Sequence, residues 1–250
     1  MTCPFSDANV ILSEISEEAA SSCPFHTHTR QEERQYTDAE VEGSVIKVTG
    51  GTHKATPLSA SLLTEIGGPD RIRIMTTRFY AHAFRDVNTS QFFFLEDGAE
   101  MHGKRLGDWI IEKMDLNNKA WTDSGRYGQR QPSHHAAWNS SRRSLEVRGK
   151  HFGLKDTRIW MRLMFYAGFE TGVNKHTPFW AWWQQFLGHF IAVYERYAPR
   201  YVEDSERWAA DPGNYKEYAA NGFVMPDEGV LDNGPRMVDL IAERVVRGKI

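Results

Sequence analysis

The sequence predicts an all-α protein, and three observations carry that prediction. Apolar residues recur at helical spacing in successive segments: Leu58, Leu62, Leu63 and Ile66, then Ile72, Met75, Phe79 and Ala83, then Trp160, Leu163, Met164 and Ala167. Helix punctuation separates the first two, with Thr56-Pro57 opening one helix, Gly67-Gly68 closing it and Pro69 opening the next. In the central stretch Met101–Ile110, the residues His102, Leu106, Trp109, Ile110 and Lys113 fall on or beside one face. A histidine is thus aimed where a core residue belongs. The ordinary account of such a side chain is a core imidazole satisfied by a backbone carbonyl.

Composition bounds the rest. A chain of 250 residues, 40% hydrophobic with 14 Phe, 9 Tyr and 8 Trp, can bury a sizeable core and suits one domain with extensions. A net charge of −3 gives no reason to expect nucleic acid or a membrane surface as partner. No apolar run approaches the roughly 20 residues that span a bilayer, and no secretory signal is visible. Cys3 and Cys23 do not make a disulfide framework. The expected setting is the cytoplasm.

Residues 1–55 are rich in Ser, Thr, Glu and Gly and read as a flexible arm, with a short strand at Ser44–Val48. Within the arm, Cys3-Pro4-Phe5 recurs as Cys23-Pro24-Phe25, followed by His26 and His28. Cys-Pro pairs resemble regulatory motifs that bind haem through thiolate, although the plain reading is a tail with two ordinary thiols. Gln91–Leu95 is an aromatic patch, either a strand or core. The central helix is expected to end near Met114–Lys119. Pro132–Trp138 reads as a short helical stretch with adjacent histidines, His134 and His135. Asn139–Lys150 is basic and polar. Asp156 is a candidate cap for the helix of Trp160. Thr177-Pro178 opens a broad aromatic stripe from Phe179 to Tyr197, with His189 peripheral. Beyond Ala198-Pro199 short helices are expected at Glu203–Ala210, Asn214–Ala220 and Met237–Val246. No repeat, phosphate loop, zinc spacing or Ser-His-Asp arrangement is evident.

Three features together resemble the truncated haemoglobins, group II in particular. Gly67-Gly68 precedes Arg78-Phe79-Tyr80, His102-Gly103-Lys104-Arg105-Leu106 follows, and a Trp-x-Arg turn stands at Trp160 and Arg162. The likeness covers roughly residues 58–198 and frames a globin domain at 56–198, with an arm at 1–55 and a helical extension at 199–250. It implies a globin-like two-over-two helical sandwich around haem b. Many members carry a smaller residue where His102 stands, so this chain departs from their commonest pattern.

The resemblance also implies roles. Tyr80 and Trp160 would donate to a ligand on the open side of the haem; indole is donor only. Phe94, eight residues before His102, or its neighbour Phe93, would stack on the porphyrin, and Leu106 would line the haem pocket. His102 would donate to the ligand, bind iron as sixth ligand, or swing away. His134 lies 32 residues after His102, near the family's distal-to-proximal separation, and shares a helical face with Trp138, so that the pair would pack under the porphyrin. It is the preferred proximal ligand, over His135 and then His151, because adjacent helical residues point about 100° apart and only one can face the iron. Arg105 or Lys104 would meet a propionate, as would a cation of the loop that holds Arg142, Arg143, Arg148 and Lys150.

The implied function is reversible binding of O2 and other diatomic ligands (NO, CO), with nitric oxide dioxygenase or peroxidase-like activity as an extension. Turnover would need an external electron donor, since no flavin or nicotinamide segment is evident. The alternative is a haem-based gas or redox sensor whose terminal extensions act on a protein partner or form a homodimer. A haem-free helical scaffold is the third reading.

Overall fold

The computed structural model describes residues 48–49 and 52–226. The Cys-Pro motifs and the helix expected at Met237–Val246 lie outside these residues, as does all of the arm before Val48. Of the strand expected at Ser44–Val48, only Val48 is described. It opens a minimal antiparallel hairpin of β1 (Val48–Thr49) and β2 (Thr52–His53), in register Val48 to His53.

Among the described residues all other regular structure is helical. The principal helices are α1 (Pro57–Glu65), α2 (Pro69–Ala83), α3 (Gly98–Met114), α4 (Arg130–Trp138), α5 (Leu154–Thr171), α6 (Thr177–Ile191), α7 (Val202–Ala210) and α8 (Pro212–Ala220). The helical class follows the sequence periodicity. Among the described residues, no helix is long and apolar enough to cross a membrane.

Local chemistry sets the boundaries. Thr56 and Ser59 form a capping box, with Thr56 Oγ1 accepting from the Ser59 N–H at 3.1 Å and Ser59 Oγ accepting from the Thr56 N–H at 2.9 Å. Gly67 and Gly68, at φ 105° and 83°, then turn the chain into α2, and Pro69 supplies the pre-set φ of a first helical residue. At α5 the cap is Gly153 rather than Asp156. Asp156 sits three residues inside and accepts from the Gly153 N–H at 2.8 Å.

Helix α3 has two inward sides, where the sequence suggested one. Gly103 and Gly107 lie against α2, so close that a Cβ on Gly103 would stand 2.4 Å from Thr77 Cα. Thr76 Oγ1 donates to the Gly103 carbonyl at 2.7 Å across the same seam. The seam is flanked by an ion pair of Arg73 and the buried Asp108 at 2.8 Å. The other side of α3, which carries His102, Leu106 and Trp109, faces a cavity. The predicted stripe is therefore a cavity wall, and the small residues between its members are the helix–helix contact.

The core is continuous. Phe179, Trp182, Trp183 and Phe186 of α6 are nearly inaccessible and pack with Ile110, Met161 and Phe165 in one buried cluster. Burying such a side chain stabilises by about 1.5–3 kcal/mol each before conformational costs. Trp208 and Tyr218 of α7 and α8 belong to that same cluster. Helix α7 packs on α5 and takes part in the core. Short apolar spacing in nine-residue helices could not reveal that.

Candidate functional site

A cavity of about 470 Å³ opens between α2, α3, α4, α5 and α6, within the range typical of small-molecule and cofactor sites. Tyr80 enters from α2, His102, Arg105 and Leu106 from α3, His134 from α4, Trp160 from α5 and Phe186 from α6. Phe93 and Phe94 line it from the segment before α3. Eight side chains that the sequence singled out, scattered over 80 positions, thus meet on one wall system.

His134 has the most specific environment. Its Nδ1 lies 3.1 Å from Tyr194 Oη, and its ring packs against Tyr194 and edge-on against Phe152. No hydrogen bond to Nε2 is found among the described residues. Burial, with the charge of Arg130 behind it, lowers its pKa to about 4, so the imidazole is neutral at physiological pH. A neutral imidazole on a cavity wall, with one nitrogen tied to a partner, is a candidate metal ligand through the other.

The two rivals are elsewhere. His135 is exposed and leans toward Asn139. His151 is also exposed and stacks on Trp138 at 4.0 Å and 21°. Trp138 itself is not on the cavity wall. Its expected place beneath a cofactor is corrected to a packing role in the loop after α4, with its indole N–H buried and without a partner.

On the α2–α3 side, Tyr80 sits among rings: Phe79 at 4.9 Å, His102 at 5.1 Å and Phe93 at 5.3 Å. Its phenol makes no hydrogen bond among the described residues, and burial raises its pKa. Trp160 packs edge-on against Phe79 at 5.0 Å and its indole likewise carries no hydrogen bond. His102 differs. Its Nε2 donates to the Phe94 carbonyl at 3.2 Å and lies 3.8 Å from Asp97. Burial lowers its pKa, so the ring is neutral and its proton is held on the loop. Phe94 is half exposed, and Phe93 is the one that stacks, on Phe84 at 5.0 Å and 7°.

Cations gather on the wall. Arg105 pairs with Asp97 through Nη1, yet its Nε is buried without a partner. Burial lowers the pKa of Arg126, and the nearby Arg105 lowers it further. The guanidinium of Arg130 lies over Trp109 at 4.6 Å, Phe190 at 4.9 Å and Tyr194 at 5.2 Å. The other expected cations are committed elsewhere. Lys104 pairs with Asp108 at 2.6 Å. Arg143 is buried and clamps its own loop, donating to the Trp138 and Lys150 carbonyls at 2.7 and 2.6 Å. Arg148 does the same for the Ser141 carbonyl at 2.8 Å. Arg142 and Lys150 are exposed, off the cavity wall.

The sequence reading did not single out Tyr194, Arg130, Arg126, Trp121 or Phe152 as site residues. By spacing Tyr194 belongs to the aromatic stripe and reads as core. The signal that separates it is its position after the end of α6 at Ile191, in a turn that swings it toward α4.

These residues fit a haem. The cavity is apolar and ringed by aromatics, one imidazole nitrogen is open, and a pair of guanidinium groups stands where carboxylates would be welcome. Among the described residues no group of three or more His, Cys, Asp or Glu side chains could hold a bare metal ion; a porphyrin brings four of the iron's ligands itself. In comparisons with known proteins, no family model, no curated protein and no solved structure matches this chain.

Proposed function

We propose that the chain is a haem-b globin of two-over-two arrangement that binds O2 and other diatomic ligands reversibly. The observation that carries this reading is His134, anchored at Nδ1 by Tyr194 and with Nε2 unpaired, on the wall of the cavity that also receives Tyr80 and Trp160. A ferrous porphyrin supplies reversible gas binding, and with nitric oxide or a peroxide it supplies oxidation as well.

The chain's own residues do the rest. His134 Nε2 would hold the iron, and Tyr194 would fix the ring's tautomer and plane. Arg105 and Arg126 would take the propionates through charge-assisted hydrogen bonds, which Arg105 Nε is free to make. Phe93, Leu106 and Phe186 exclude water. Tyr80 Oη and Trp160 Nε1 are uncommitted donors in an apolar space, where a hydrogen bond to developing negative charge is strong. His102 can reach the cavity, as donor or as sixth ligand, only by releasing the Phe94 carbonyl. A neutral hydrogen bond of that kind is worth about 1 kcal/mol, so the exchange is inexpensive. Nitric oxide dioxygenase or peroxidase-like turnover would draw on an external electron donor in the cytoplasm.

The test is one set of absorbance spectra of the purified full-length chain with haem, in oxidised, reduced and carbon monoxide forms. A Soret band of about one haem per chain, shifting on reduction and on carbon monoxide, is expected. A chain that takes up no haem overturns the reading in favour of a haem-free helical scaffold.

One observation favours the sensor reading as second. Helix α5 carries Trp160 into the cavity and, two residues on, sets the buried Arg162 4.0 Å from Asp204 and 5.3 Å from the Trp208 ring of α7. If α7 senses the ligand, Asp204→Asn changes carbon monoxide kinetics several-fold. Unchanged rates leave the globin acting alone.

A further inference from the structure

Away from the cavity, α2, α5 and α8 bring together a second set of chemically active side chains. Tyr215 Oη lies 2.6 Å from His82 Nδ1. His82 Nε2 lies 3.0 Å from Glu170 Oε2. The Tyr166 ring stacks on Tyr215 at 3.9 Å and 3°. His82 is buried, and the Glu170 carboxylate reaches the surface.

The partners fix the protons. Glu170 accepts from Nε2–H, so Nδ1 is the lone-pair nitrogen and the phenol donates to it. Burial and the nearby Tyr166 raise the pKa of Tyr215, so the phenol is not lost as phenolate at ordinary pH. Burial pushes the Glu170 carboxyl up, but the His82 bond with the Arg78 and Arg85 charges outweighs it, and the carboxylate is ionised. A phenol, a base within direct reach and an anion behind the base is a proton-transfer chain with no gap. A tie that merely docked α8 would need none of this order.

We propose that Tyr215 is a proton-coupled one-electron redox site. Its phenol gives one electron to an oxidant and its proton to His82 Nδ1, leaving a neutral tyrosyl radical beside an imidazolium that is ion-paired with Glu170. Removing the electron alone would leave a radical cation in a partly buried, ring-packed site, which the concerted proton move avoids. The stacked Tyr166 ring shields the radical from solvent. Return of the electron and of the proton from Nδ1 restores the starting state. Tyr215 does not line the main cavity, and an outer-sphere electron needs none. The physiological oxidant, a peroxide-oxidised haem, rests on the haem reading above; the redox site does not.

The test therefore uses an oxidant of its own. Flash-photogenerated ruthenium(III) tris-bipyridine oxidises the full-length haem-free chain, and the frozen sample is read by electron paramagnetic resonance. The chain holds nine tyrosines, so single substitutions assign the signal. A tyrosyl radical is expected, reduced at least threefold in Tyr215→Phe and little changed in Tyr127→Phe, whose ring is 80% exposed. Glu170→Gln, which leaves the fold's apolar contacts intact, is expected to reduce yield or lifetime at least threefold. It serves as the deciding variant if Tyr215→Phe does not fold. A signal unchanged in Tyr215→Phe, or indifferent to Glu170→Gln, overturns the proposal. A chain that takes up no haem in the absorbance test yet yields the Tyr215 radical here would overturn only the haem reading.

Discussion

Tyr194 and His134, sixty positions apart in the chain, are joined by a 3.1 Å contact between phenol oxygen and Nδ1. With Nε2 given to a metal, Nδ1 carries the ring proton and donates it to that oxygen. His134→Gly is therefore expected to lose the iron–imidazole signal and to regain it with added imidazole. His135→Gly and His151→Gly keep it. Tyr194→Phe retains the ring and loses the acceptor, which typically weakens a metal site by about 10–100-fold. Resonance Raman and haem-transfer rates check all four.

Tyr80 and Trp160 are the donors with free hydrogens in the cavity. Each hydrogen bond to a partly charged ligand is worth roughly 1.5–3 kcal/mol. Tyr80→Phe and Trp160→Phe are accordingly each expected to speed O2 dissociation by about tenfold or more and to leave carbon monoxide, a poor acceptor, less affected. Stopped-flow displacement measures both. Equal effects on the two gases would assign these side chains to shape alone.

The helices were legible because their apolar spacing is local, and so were most cavity residues, because they lie on stripes. What periodicity cannot tell is whether a stripe meets protein or space. By spacing alone His102, Leu106 and Trp109 read as a core stripe, whereas the family likeness puts His102 and Leu106 in a haem pocket; all three line the cavity. Trp138 read as wall and turned out to be packing, since its face is decided by His151 in a loop that follows. Tyr194 was hidden for the opposite reason. Its spacing continues the α6 pattern, but the helix ends at Ile191, and the turn re-aims it. Arg130 and Arg126 carried no signal, because a guanidinium held over rings has the same letter as one in water.

Four imidazoles, one buried and three partly so, make acid stability a sharp test. Burial lowers the pKa of His53, His102, His134 and His189, so each is neutral in the fold. The unfolded chain then binds more protons below the ordinary imidazole value of 6.5, and stability falls as pH drops from there through the folded values, about 4 for His134. Each fully coupled histidine contributes a slope of roughly 1.4 kcal/mol per pH unit in that window. His53, 5% exposed, donates to the Lys113 carbonyl at 2.8 Å and is ringed by Trp182, Phe186 and Phe190. His53→Gln keeps a donor but cannot charge. Urea unfolding of the haem-free chain is expected to show a shallower pH slope between 6.5 and 4 in this variant. An unchanged slope would mean His53 titrates normally.

The α2–α3 seam sets both stability and cavity shape. A Cβ at Gly103 would stand 2.4 Å from Thr77 Cα and 2.7 Å from Thr77 N, and one at Gly107 would stand 3.1 Å from Arg73 Cα. These are backbone atoms, so no rotamer change relieves the clash, and the helices must separate. Overpacking of this kind costs about 1–3 kcal/mol, and here separation also loosens the Thr76–Gly103 hydrogen bond. Gly103→Ala is expected to lower the urea midpoint with an unchanged m-value, and Lys104→Ala, which removes a largely exposed lysine and leaves Asp108 paired with Arg73, to cost no more than about 1 kcal/mol. Because α2 carries Tyr80 and α3 carries His102, Gly103→Ala should also change carbon monoxide association, while Lys104→Ala should not. A Gly103→Ala chain as stable as its parent would mean that the two helices do not touch where their glycines lie.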